Sequence, residues 1–171
     1  ERRQGTLARI LAGPVRPETV LAGKTLGSFI LGLFAMTVLV VATTLLINAR
    51  WGPPLGVALM VTAAVVAAIG ISTFVISFTS TAEAAGAASS AVAITLGVLG
   101  GAFSPSAQAP ELMNAISMLT PHGWFLRGLG EMAGPNGTVA DCLPAVAVLL
   151  VMGLVPGTIG MLRARRLVRP R

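Results

Sequence analysis

Gly23-Lys24-Thr25 is the triplet with which a phosphate-binding P-loop ends, so the first chemistry to weigh is nucleotide binding. Such a loop curls bare backbone amides around phosphates and needs another glycine five positions before the Gly-Lys-Thr. Glu18 stands there instead, a carboxylate that repels phosphate, and Pro17 beside it removes an amide donor. Downstream, LGSFILGLFAMTVLVVATTLLI runs from Leu26 to Ile47 without one ionisable residue, which is the pattern of a membrane span. No HExxH, Ser-His-Asp set or carboxylate pair occurs elsewhere, so no catalytic, cofactor-binding or metal-binding residue is assigned and an intramembrane enzyme is disfavoured. His122 is read as a capping or hydrogen-bonding loop residue, and Asn136-Gly137-Thr138, although it fits a glycosylation pattern, as a turn.

Those few polar groups sit in a chain whose main solvent is lipid. Of the 171 residues, 54% are hydrophobic and 11% charged, and the mean hydropathy is +0.85, a balance that excludes an ordinary soluble core. Apolar tracts run over about 24–47, 55–78, 84–103 and 143–162. At 1.5 Å per residue each reaches about 30 to 36 Å, enough to cross the hydrocarbon with some tilt. The expected fold is an all-α integral membrane domain over 1–171, with four transmembrane helices, a cytoplasmic amphipathic segment at 1–17 and a long connection at 104–142. The basic start is not followed by a short apolar stretch and a cleavage site, so it is not a signal peptide. The chain reads as part of a longer polypeptide with sequence before Glu1. The single Cys142 excludes an intramolecular disulfide.

Orientation follows the arginines. Arg2, Arg3, Arg9, Arg16 and Lys24 precede the first span, and Arg163, Arg165, Arg166, Arg169 and Arg171 follow the last. An even number of spans puts these ten on one side, against Arg50 and Arg127 on the other, so both ends are expected in the cytoplasm. Lys24, Trp51 and Trp124 then fall at membrane interfaces as candidate anchors, with ordinary packing the alternative for the tryptophans. The net charge of +6 belongs to these flanks, without aromatic interleaving, and does not indicate nucleic acid.

The connections carry more information. Leu7, Ile10 and Leu11 recur at helical spacing before Gly13-Pro14, with Thr6 as a late cap, and Pro17-Glu18 suits the start of a second helix. The pattern alone leaves open whether the first helix lies on anionic lipid or docks a cytoplasmic partner. Thr81 and Glu83 suit the start of the third span, in which Ala82-Gly86-Ser90, Ala85-Ser89 and Gly97-Gly101 are each four apart. That spacing permits close helix approach in lipid, so Gly86, Ser90, Gly97 and Gly101 mark a helix-packing face inside the bundle or between subunits; high alanine content is the alternative. Within 104–142, two short amphipathic helices are expected after Pro110 and after Pro121, with Arg127 and Glu131 paired, forming a re-entrant or interfacial hairpin. No ionisable residue lies in the body of any span, so no site for a driving ion is visible.

Taken together, ERRQGTLARILAGPVRPETVLAGKTLGSF and LGGAFSPSAQAPELMNAISMLTPHGWFLRGL resemble ABC type-2 transporter permeases. The first is similar to the segment from the cytoplasmic coupling helix into the third transmembrane helix, the second to the fifth helix, its outside re-entrant helices and the stretch before the sixth. The resemblance implies the second half of a six-helix permease domain in a bacterial plasma membrane, without its first two spans. It implies docking on an ABC ATPase through Glu1, Arg2, Arg3, Gly5, Thr6, Leu7, Arg9, Ile10 and Leu11, and association with a second permease copy. ATP and Mg would be bound by that ATPase, separate or fused upstream, and not by this chain. Outward movement of an amphipathic, lipid-like or drug-like substrate is the expected activity; a non-transporting scaffold that recruits a cytoplasmic partner is the alternative, and a small channel a weaker one.

Overall fold

A computed structural model of the protein describes residues 17–101 and 111–168. Helix α1 spans Pro17–Ile47, α2 Pro54–Ile76, α3 Ala82–Leu99, α4 Glu111–Ser117, α5 Pro121–Met132 and α6 Val139–Val168, and no strand occurs among the described residues. Four stretches are long and apolar enough to cross a membrane: Ala22–Ile47, Pro54–Ile76, Ala82–Leu99 and Val139–Ala164.

Local chemistry sets the helix ends. After α1, Asn48 takes the left-handed conformation (φ 51°), which Asn tolerates better than most residues, and the chain turns at Gly52 (φ 93°). α2 starts with Pro54, whose missing N–H is not needed in a first turn. The Thr81 hydroxyl accepts from Ala84 N at 3.1 Å and caps α3, with Glu83 in the first turn. α3 stops at Leu99 rather than Phe103, because Gly100 caps it and Gly101 turns the chain at φ 82°. α6 starts at Val139 rather than Leu143: Asp141 reaches back to accept from Thr138 N at 2.7 Å and Thr138 Oγ1 at 2.9 Å, so the N–H of the residue before the helix is satisfied by an acid three positions on, one half of a capping box.

The centre of the bundle is a parallel seam between α2 and α6. Cys142 lies beside Gly56, and at the far end Arg163 Nε donates to Ser77 O at 3.2 Å, both pairs 86 residues apart. Between them, a Cβ on Gly153 would lie 2.7 Å from Ala67 Cα, and one on Gly160 2.8 Å from Phe74 Cα. Gly70 meets the backbone of Gly153 just as closely. Lipid tails are as apolar as leucine, so van der Waals contact rather than exclusion from water holds such helices together, and glycines let the backbones touch. Met60, Val61, Ala63, Val65 and Ala67 of α2 and Ala145 and Leu149 of α6 fill the core beside this seam.

The other spans are peripheral. α1 lies along α2 through Phe29, Leu33, Met36 and Val40, while Phe34, Leu45 and Leu46 on its outer side are two-thirds or more exposed. α3 has one buried residue, Gly97.

Candidate functional site

Gly23-Lys24-Thr25 lies within α1, where the backbone amides are committed to the helix and cannot cradle phosphates. No cluster of three or more His, Cys, Asp or Glu able to hold a metal occurs among the described residues. The docking segment, Glu1 to Leu11 with its named residues, lies outside the described residues. What the structure builds instead is a capped bundle end with a cleft beside it.

The cap is made by α4 and α5. Thr120 stitches their junction: its hydroxyl donates to Ser117 O at 2.8 Å and accepts from Gly123 N at 3.1 Å, while Pro121 opens α5. Trp124 Nε1 donates to Met118 O at 2.7 Å, and Arg127 lies 5.7 Å from the Trp124 ring while its Nε bonds Glu131 Oε1 at 2.8 Å. The expected i, i+4 pair is therefore present, on a largely exposed face. Met132, fully buried, pins the end of α5 against Gly56 and Gly52, with Cys142 also beside Gly56.

His122 corrects one expectation. It neither caps the helix, a role Thr120 takes, nor finds a partner for its Nδ1, which is buried and unbonded. Its ring packs between α5 and the end of α3, close to Gly100 and 3.8 Å from where a Cβ on Gly97 would sit. Burial lowers its pKa from the ordinary 6.5, because the charged form loses solvation there.

The cleft opens between the α1 and α2 halves nearest this cap and has a volume of about 1020 Å³. Its walls come from Leu33 and Val40 of α1 and Val57 and Val61 of α2, and Arg50 and Trp51 of the connecting turn stand in its lining. Trp51 Nε1 donates to Thr43 Oγ1 at 3.2 Å, which fixes the half-buried indole over the end of α1. Both tryptophans named as anchors thus sit at the capped end with their N–H groups bonded within the chain. Lys24 lies near the opposite end of α1 and is exposed. In α3, Gly86 and Ser90 are exposed, a Cβ on Gly86 would meet nothing within 4 Å, and Gly101 is half-buried.

Sequence reasoning passed over the glycines that do pack closely. Gly153 and Gly157, four apart, and Gly160 lie on one face of α6 against α2. Their spacing in the sequence is the signal for this contact, and it is the same kind of pattern that the alanine-rich α3 carries.

Residues 1–162 match the family described as "ABC-2 family transporter protein". The linearmycin resistance permease protein LnrN of Bacillus subtilis (strain 168) is 25% identical over 160 residues, 94% of this chain and 42% of that relative. The chain thus spans less than half the length of the curated relative it matches. No solved structure matches it.

Proposed function

Because the chain belongs to the ABC-2 transporter family, and is a multi-pass membrane permease component, we propose that it works in an ATP-driven exporter of a bacterial plasma membrane. In this reading an ABC ATPase, separate or fused, binds ATP and Mg and docks on the segment around Leu7 and Ile10. A second permease copy completes the transporter, both ends face the cytoplasm, and an amphipathic substrate moves outward along the interface between copies. Lys24, Trp51 and Trp124 lie at headgroup level.

The single observation that carries this reading is the family match across 162 residues, reaching from the amphipathic segment through the last span. The curated relative is itself a resistance permease, which agrees with an export direction. A scaffold without transport has no comparable support.

Coupled ATPase activity and transport in the assembled complex test it. Replacing Leu7 and Ile10 together with Asp is expected to abolish assembly with the ATPase and substrate-stimulated hydrolysis. Intact assembly and transport in that variant would remove the docking role.

A further inference from the structure

We propose that the cleft between α1 and α2 binds an anionic phospholipid of the adjacent leaflet, with its phosphate on Arg50 and one acyl chain between the helices. The proposal concerns a lipid site and is independent of what the transporter moves.

The dimensions fit a lipid chain. At about 1020 Å³ the cleft lies at the upper end of the roughly 300–1,000 Å³ of ligand sites. From Leu33 to Thr44 its α1 wall rises about 16 Å, half of a hydrocarbon core of about 30 Å, so it serves one leaflet. The hydroxyls along it do not make it polar. Thr37 donates to Leu33 O, Thr44 to Val40 O and Thr62 to Ala58 O, each at 2.7 Å, which consumes the donors and turns the methyl-bearing side chains into apolar lining.

The charge fits the headgroup. Among the described residues Arg50 is exposed and has no hydrogen-bond or ion-pair partner, whereas at the same end Arg127 is paired with Glu131 and Asp141 is held by Thr138. A planar guanidinium offers paired donors that match phosphate. Bulk lipid is as apolar as the cleft, so the chain gives little preference by itself and selectivity lies in the headgroup charge.

The test is lipid retention by the assembled transporter in nanodiscs of equal parts phosphatidylglycerol and phosphatidylethanolamine, read without ATP by native mass spectrometry after release. Phosphatidylglycerol is expected to be retained in excess. Arg50→Gln should cut that excess about fivefold, the effect of one basic residue at an anionic surface, and Thr37→Trp, which fills the cleft from α1, should abolish it. Arg127→Gln should leave it unchanged. Equal retention of the two lipids by the unaltered complex overturns the proposal, as does an undiminished excess in Arg50→Gln. Efficient disulfide formation between Thr44→Cys positions of two copies would also overturn it, by seating a second copy in the cleft. Because no ATP is involved, failure here is distinct from failure of the docking reading.

Discussion

Small residues at four-residue spacing behave in opposite ways on α6 and on α3. On α6, Gly153, Gly157 and Gly160 bring its backbone against that of α2. On α3, Gly86 and Ser90 face outward with nothing packed on Gly86. The difference is the partner: α2 presents Ala67 and Gly70 to Gly153 and Gly157, and bare backbone at Phe74 to Gly160, while among the described residues no helix lies over the Gly86 position of α3. Small-residue spacing records that backbones are able to approach; a second surface of matching shape decides whether they do.

The seam side of this comparison breaks most severely. Gly153→Leu places a branched side chain where even a Cβ would lie 2.7 Å from Ala67 Cα and equally near the Val66 carbonyl. Backbone cannot yield as a flexible side chain can, so the cost is expected at or above the upper end of the about 1–3 kcal/mol usual for overpacking. Unfolding in mild detergent, followed by near-ultraviolet dichroism, should show a strongly destabilised or unfolded variant; a native-like profile would mean that α2 and α6 are not this close. Next in size is Met132→Ala, which empties a fully buried site between Gly52, Gly56 and α6. Loss of about 2–5 kcal/mol is expected. Limited proteolysis should then cut near Gly134-Pro135 as α5 detaches, with the α2 and α6 seam intact.

The same comparison shows what was legible beforehand. The four spans were readable because twenty apolar residues without charge admit few other structures in water or lipid. The start of α3 was readable because Thr81 and Glu83 act within one turn, and so was the Arg127–Glu131 pair, four residues apart. What escaped depends on residues 86 apart in sequence, such as Gly160 against Phe74, for which no local pattern exists. The early start of α6 was missed because Asp141 looks like a polar end to a loop until its carboxylate is seen to accept from Thr138. The cleft was likewise invisible: its lining joins α1, α2 and the turn after α5, and its threonines read as polar until their hydroxyls are followed to the carbonyls that accept them.

His122 joins α3 to the cap and gives a smaller, pH-dependent effect. Its pKa is lowered in the folded state, so the unfolded chain binds more protons over the interval below about 6.5. The stability that depends on neutral His122 is complete above that value and is lost as pH falls through the lowered folded value. Melting temperature should therefore drop between neutral and mildly acidic pH, and His122→Asn, which carries no titratable proton in that range, should flatten this part of the profile. An unchanged profile in the variant would assign the acid sensitivity elsewhere.

The smallest expected effect on the fold is the most informative about α3. Gly86→Leu adds a large side chain into open space, and leucine, a good helix former, relieves most of the about 0.8–1 kcal/mol by which glycine falls short of alanine in a helix. The single chain should be as stable as before or slightly more so. If the open face of α3 meets lipid, association between copies should also be unaffected, because a leucine there replaces one apolar contact with another. If that face meets a second copy, the added side chain separates the two backbones, and dissociation should occur at lower detergent or higher dilution while each chain remains folded. Size-exclusion chromatography with light scattering, paired with the unfolding curve, separates these outcomes: only weakened association without a loss of stability gives α3 the partner that α2 supplies to α6.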